Sequence, residues 1–293
     1  MFPSFLPANV QQLTEPESIE FASQIQRVDI LTSLLSQAIP TSYIHQGTGG
    51  IPLVFLHGFD SSIFEFRRIM PIIAADREVW AIDLLGFGFT ERLLNCPFSS
   101  ASIGTHLAAF WQTKIQQPIV LVGVSMGGAA AIEFTLNNPT TVHKLVLIDS
   151  AGFTQPPAMG KLLIQPLGNL ATKFLSSPKV RKSVSEKAYF DKNFVTVDAQ
   201  LCAALHLEMP SWSEALIAFT RSGGYGYLLD RLPEIQQETL ILWGKQDRIL
   251  GIKAAQLFIA NLPKARLEWI DNCGHVPHLE QAQITARSIL DFI

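Results

Sequence analysis

The chain has 293 residues, 48% of them hydrophobic and only 16% charged. An average globular chain carries about 25% charged residues, so a large core can form and extensive disorder, which needs low hydrophobicity and high charge, is excluded. Lysine plus arginine number 22 against 25 aspartate plus glutamate, a net charge of −3, which lacks the basic footprint of a nucleic-acid binder.

The N-terminus, MFPSFLPANVQQLTEPE, has no Lys or Arg before Arg27 and no long apolar run, so it does not read as a secretory signal. Three cysteines, Cys96, Cys202 and Cys273, lie far apart without a CxxC pair. That indicates neither a disulfide framework nor a zinc cluster and fits a reducing, cytoplasmic compartment. Mean hydropathy is +0.24, which raises the question of a membrane span. The longest stretch without a charged residue or a histidine, Ile115 to Ile132, is 18 residues but holds Gln116, Gln117, Pro118, Ser125 and three glycines. It reads as strand, turn and helix start, and the chain as a soluble protein.

In chain order, residues 15–38 place Ile19, Ile25, Val28, Leu31, Leu34 and Leu35 near helical spacing, predicting an N-terminal helical extension over 1–40 that Pro40 stops. Ile51–Leu56 is an apolar strand ending at His57-Gly58, and Asp60, Ser61 or Ser62 can cap a helix over about 62–75. Strands are then expected at Glu78–Ile82, Ile119–Val122, Val142–Ile148, Thr239–Trp243 and Leu267–Ile270. Helices are expected over about 101–116, Met126–Leu136, Ile252–Asn261 and about 279–292. Continuous apolar strands alternating with helices predict an α/β fold, a mostly parallel central sheet with helices on both faces.

Residues 151–232 break this alternation with Pro156-Pro157, Pro166, Pro178, Pro210 and Gly223-Gly224. They read as an inserted helical cap between two core segments, 41–150 and 233–293. Residues 161–192 carry seven Lys/Arg and two Asp/Glu, a net +5. This is either a face for anionic substrates or a membrane surface, or simply a solvated helical face, the commoner origin of charge runs.

The sequence Gly123-Val-Ser125-Met-Gly127-Gly128 follows the strand IVLV and precedes the helix-forming AAAIEF. A serine in such a sharp strand-to-helix turn is pushed above the sheet edge, and glycines on either side let the backbone pass closely. The first helical N–H groups then face whatever Ser125 attacks. The bland alternative is a glycine-rich turn with an incidental serine.

A serine hydroxyl needs a base. His275, in Asn272-Cys-Gly-His275 after the last strand, sits at the sheet edge shared with Ser125; His278 is its rival. His57 lies after an early strand, and His45, His106, His143 and His206 have no comparable context. The base needs an acid to fix its tautomer. Asp247, just past a strand end, is favoured over Asp149, at the end of the preceding strand, and Asp83 reads as structural. Backbone N–H groups of Phe59 and Met126 are the candidate oxyanion donors.

With HGF at 57–59, DLLGFGFTER at 83–92, GVSMGG at 123–128, LILWGKQDRI at 240–249 and CGHVPHLEQ at 273–281, the chain from about 41 onward resembles the α/β-hydrolase superfamily. Within it, it looks like the capped serine branch of esterases, meta-cleavage product C–C hydrolases and cofactor-free haloperoxidases. The resemblance implies Ser125 as nucleophile, Asp247 as acid, His275 as base, and 151–232 as a cap over the pocket. Ser125 stands where haloalkane dehalogenases and epoxide hydrolases have Asp and dienelactone hydrolases Cys. The loop His57-Gly-Phe-Asp-Ser-Ser62 also departs from the glycine-rich HGSGPG-like turn of C–C hydrolases.

The expectation is therefore a hydrolase of a small or medium apolar ester-type carbonyl substrate, acting through an acyl-enzyme without metal or cofactor. C–C hydrolysis, or a small-ligand receptor that keeps the triad, are the alternatives. Phe153, Met159, Leu162, Leu163, Ile164, Leu167 and Phe174 of the cap are expected to line the pocket or pack within the cap.

Overall fold

A computed structural model describes residues 1–93, 95–153 and 167–293. Its sheet has eight strands: β1 (Gln26–Ile30), β2 (Ile39–Gln46), β3 (Leu53–Leu56), β4 (Val79–Ile82), β5 (Ile119–Val124), β6 (Val142–Ile148), β7 (Glu238–Gly244) and β8 (Ala265–Ile270). They lie in the order β1-β2-β4-β3-β5-β6-β7-β8. β1 and β2 pair antiparallel, as do β2 and β4; the other pairings are parallel. The helices are α1 (Pro16–Ser23), α2 (Met70–Ala74), α3 (Ser100–Lys114), α4 (Met126–Asn137), α5 (Leu167–Leu175), α6 (Pro178–Ala188), α7 (Val197–Cys202), α8 (Trp212–Arg221), α9 (Lys253–Asn261), α10 (Pro277–Glu280) and α11 (Ala282–Phe292). None of the described helices is long and apolar enough to cross a membrane.

The central strands are apolar throughout because both faces are covered, as parallel sheets require. Alternate side chains serve two cores. Val54, Leu56, Leu121, Leu145 and Leu147 face the layer closed by α3, α4 and α9. Leu53, Phe55, Val120, Val122 and Val146 face the layer closed by α1, α2 and α11. From β3 the chain moves outward to β4, then crosses back to place β5 on the other side of β3. This reversal opens a crevice at the carboxyl ends of β3 and β5, where open α/β sheets bind their ligands.

Three expectations are corrected. The helix expected over 15–38 ends at Ser23. Residues 26–30 form β1, so the N-terminal region joins the sheet rather than forming a helical extension, and β2 begins before the expected boundary at 41. Here Ile25, Val28 and Ile30 are divided between the two core layers, while Arg27 and Asp29 occupy an edge strand, where charges are tolerated and block further pairing. The helix expected over 62–75 is a 3₁₀ turn at Ile63–Phe66 followed by α2. Pro71 has no N–H to give to the carbonyl of Arg67, so one continuous helix cannot form. The helix expected near 279–292 is two, divided at Gln281.

The insertion between β6 and β7 is helical where described, with α5 to α8 and short 3₁₀ turns. Side-chain caps start α6 and α7: Ser177 accepts from Val180 N at 3.4 Å and Thr196 from Ala199 N at 3.0 Å.

Candidate active site

The strand ends bring the chemistry together. Ser125 joins β5 to α4 with φ +51° and ψ −116°, a backbone conformation that strains a non-glycine residue. Its neighbours hold it there: Ser125 N donates to Ile148 O at 3.0 Å, and Ser125 O accepts from Gly128 N and Ala151 N, each at 2.9 Å. A Cβ on Gly123 would collide with the Gly127 carbonyl, and one on Gly127 with the Leu56 carbonyl. Those two glycines are what lets the turn pass between β3 and the helix. Met126 is the first residue of α4, whose opening N–H groups have no intrahelical acceptor. The loop after β3 lies against Ser125, since a Cβ on Gly58 would sit 3.5 Å from the Ser125 Cβ.

His275 and Asp247 come from the loops after β8 and β7. His275 Nδ1 lies 3.1 Å from Asp247 Oδ2. The second carboxylate oxygen, Oδ1, accepts from Ile249 N at 2.7 Å and Leu250 N at 3.1 Å. Burial acts to raise the Asp247 pKa, but the His275 bond and charge and these two amides outweigh it, and the net shift is downward. Asp247 is therefore an ionised acceptor, which makes His275 Nδ1 the donor and leaves Nε2 as the basic nitrogen.

Asp149 stands beside this pair. One ligand atom from each of Asp149, Asp247 and His275 falls within 4.8 Å of the others, the one such group of potential metal ligands among the described residues. The imidazole and Asp247 are already engaged with each other. Asp149 is fully buried at φ +40° and accepts Gly244 N at 3.2 Å. Burial, reinforced by the Asp247 charge, drives its pKa well up, so it is a neutral acid beside an ionised one.

The other histidines are occupied or inert. His57 Nε2 accepts from Leu84 N at 3.1 Å, and its Nδ1 is 2.8 Å from Gly58 O. Burial holds its pKa down at about 3, so it pins the loop and has no lone pair to offer. His278 is fully buried and likewise pushed down to about 3 by burial, and it lies outside the cavity wall. His106 pairs with Thr41 Oγ1 at 2.7 Å, His45 stacks on Trp80, and His143 is exposed. Asp83 accepts Ile63 N at 2.8 Å and Phe89 N at 2.9 Å and is raised to about 6 by burial.

Ser125 and His275 open into one cavity of about 280 Å³, lined by apolar side chains such as Phe59, Phe64, Val124, Val184, Ile249 and Leu279 and by the charged Asp60, Glu65, Arg67 and Arg181. Among the described residues, the cap contributes α6 and the residues after it to this wall. Phe153 packs on Phe258, and Phe174 is exposed. Met159, Leu162, Leu163, Ile164 and the side chain of Leu167 lie outside the described residues.

Sequence reasoning missed three groups here. Glu65 lines the cavity, and its Oε2 accepts Gly58 N at 3.0 Å. Burial raises its pKa. Asp60, expected as a helix cap, caps nothing and instead binds Arg181, His206 and Trp212. Arg181 thereby turns inward from the basic stretch, whereas Lys173, Lys179, Lys182 and Lys187 are exposed. The sequence signal for Glu65 is a charge inside the apolar segment Ile63–Phe66; Asp60 and Arg181 lie among polar residues and carry none.

Residues 51–282 match the family model described as alpha/beta hydrolase fold. The chain is 32% identical to the alpha/beta hydrolase domain-containing protein VTE7 of Arabidopsis thaliana, over 99% of this chain and 90% of that protein. It is 27% identical to the 2-hydroxy-6-oxononadienedioate/2-hydroxy-6-oxononatrienedioate hydrolase of Cupriavidus pinatubonensis, covering 98% and 99%. A thermophilic esterase from Thermogutta terrifontis superposes with a TM-score of 0.78 at 21% identity, covering 91% of this chain and 97% of that one. The mostly parallel sheet between helices and the helical insert after β6 agree with these matches, and the chain belongs to the α/β-hydrolase fold family.

Proposed function

We propose that the protein is a serine hydrolase of a small, mostly apolar carbonyl compound. Ser125 is the nucleophile, His275 the base, Asp247 the acid that orients it, and the Phe59 and Met126 N–H groups hold the oxyanion. The carrying observation is that the elbow serine and an imidazole bonded to an ionised carboxylate face the same largely apolar cavity. Ser125 loses its proton to His275 as it adds to the carbonyl. The tetrahedral oxyanion collapses, the leaving group takes the proton back, and water hydrolyses the acyl-enzyme by the same route.

The bond cleaved is a carbon–carbon bond next to a ketone. Support comes from the relatives: the dienedioate hydrolase aligns from end to end, and other bacterial 2-hydroxy-6-oxo-dienoate and 2-hydroxymuconate semialdehyde hydrolases match at 25% to 27% identity. Here the leaving electron pair passes to the α-carbon and is delocalised into a second carbonyl as an enolate, which accepts the proton from His275. Ester cleavage is the second reading. It is favoured by the loop after β3, where Phe59-Asp60-Ser61-Ser62 replaces a glycine-rich turn.

A panel of p-nitrophenyl esters of varied chain length alongside a ring-cleavage dienoate tests both. Turnover of the dienoate well above every ester is expected, and ester turnover alone would reverse the order. Binding of either class without turnover would make the protein a receptor on a hydrolase fold.

A further inference from the structure

The loop that carries Phe59 shares one buried carboxylate with the cap. Asp60 follows Phe59 at φ +50° and is 6% exposed. Its Oδ1 accepts from Trp212 Nε1 at 2.8 Å and lies 3.2 Å from His206 Nε2, and its Oδ2 accepts from Arg181 Nη1 at 2.7 Å. The donors come from three pieces of the insert: α8, the 3₁₀ turn at Leu205–Glu208, and α6. Arg181 Nη2 also reaches the Asp60 carbonyl at 3.3 Å and bonds the Ala203 carbonyl.

Burial would raise the Asp60 pKa, but His206, Arg181 and Trp212 together hold it at about 2. Burial lowers the His206 pKa, so that ring is neutral and gives its Nε2 hydrogen to the ionised carboxylate. A carboxylate that only needed neutralising would be served by Arg181. Convergent donors on both oxygens fix its position as well as its charge. The Phe59 ring lies 6.3 Å from Phe219 of α8 and 6.0 Å from Phe87, so the cap braces the same residue from its side chain. On the other side, Glu65 Oε2 holds Gly58 N.

We propose that Asp60 is a positioning residue for catalysis. The docked cap clamps its carboxylate and thereby holds the Phe59 N–H where charge develops over Ser125, so that the oxyanion site is complete only when the cap is seated. This rests on the reading of Ser125 as nucleophile. An oxyanion donor acts on the transition state more than on the bound substrate. Loosening the clamp should therefore reduce kcat and leave KM nearly unchanged.

Asp60→Asn keeps the size but leaves one acceptor where there were two. Trp212→Phe removes a single donor and keeps the packing, and it carries the test if Asp60→Asn does not fold. Lys182→Gln, which loses only an exposed pair with Glu186, is the control. Each is compared with the parent in rate of labelling by a fluorophosphonate, in kcat and KM on the best substrate of the panel, and in thermal unfolding.

Labelling rate and kcat should fall together, by about tenfold or more in Asp60→Asn and by a few-fold in Trp212→Phe, with KM within about threefold. Lys182→Gln should match the parent. Folded variants that label at the parent rate, or that raise KM with kcat intact, would reduce Asp60 to a structural tie and overturn the proposal. A parent that fails to label sinks the Ser125 reading and this proposal with it; a labelled parent with unaffected variants sinks only the clamp.

Discussion

Asp149 and Asp247 are the same residue type a few ångströms apart, and their surroundings give them opposite protonation. Asp247 is ionised because His275 and two backbone amides outweigh its burial. Asp149 is neutral because burial and the neighbouring charge both oppose ionisation. An asparagine reproduces a neutral acid's size and its ability to donate, but not an ionised carboxylate. Asp149→Asn should therefore lower kcat by less than about tenfold, whereas Asp247→Asn should lower it on the order of 10⁴-fold by favouring the wrong imidazole tautomer. The opposite ranking would move the acid to the earlier strand. Ser125 permits a separate test. Ser125→Ala should abolish turnover and fluorophosphonate labelling with the fold retained. Ser125→Gly should be more stable than Ser125→Ala by about 1 kcal/mol, since the residue's positive φ strains any side chain. Equal denaturant midpoints for the two would remove strain from the account of the elbow.

At the scale of elements, what the sequence revealed was what local chemistry dictates. β5 and α4 are visible because an apolar run, three glycines and an alanine-rich helix start agree with one another. His275 and Asp247 are visible because each follows a strand end. β1 was hidden because Ile25, Val28 and Leu31 repeat at helical spacing, and only pairing with β2 makes the segment extended. The ties between cap and core were hidden for the same reason, since their partners lie far apart in the chain. Glu280 shows this. It was expected inside a helix, yet its carboxylate accepts Gly274 N at 2.8 Å, Phe190 N at 3.1 Å and Asp191 N at 2.5 Å. His275 N in turn donates to Ala188 O at 2.7 Å. The loop bearing His275 is thus stapled to the end of α6. Glu280→Ala would strand the buried Gly274 amide, worth about 1–3 kcal/mol without a partner, and release the part-buried Phe190 and Asp191 amides to water. The thermal unfolding midpoint should drop by roughly 2–5 °C, with kcat falling as His275 loosens. A change within 1 °C and unaltered kcat would show the staple to be idle.

For the whole molecule, the core is built around imidazoles that it keeps uncharged. His57, His106 and His278 are each essentially without solvent contact, and burial lowers their pKa values to about 3, about 4 and about 3. In the unfolded chain an imidazole titrates near about 6.5. Because the folded values are depressed, the unfolded state takes up protons first. Stability is fully present above about 6.5 and is lost as pH falls toward the folded values. For His106 alone the loss between pH 7 and pH 5 is about 2 kcal/mol. Asp83, raised to about 6 by its own burial, works in the opposite direction over the same window, so the net slope of the parent protein is not assigned to one group. The difference between parent and variant isolates the histidine. His106→Gln keeps a donor for Thr41 Oγ1 and removes the titration. Urea unfolding at pH 7 and pH 5 should show the variant losing about 2 kcal/mol less than the parent over that interval, with unchanged m-values. Parallel pH dependence in the two proteins would mean that the buried imidazole is protonated as readily folded as unfolded, and that the layer between β2 and α3 admits a charge.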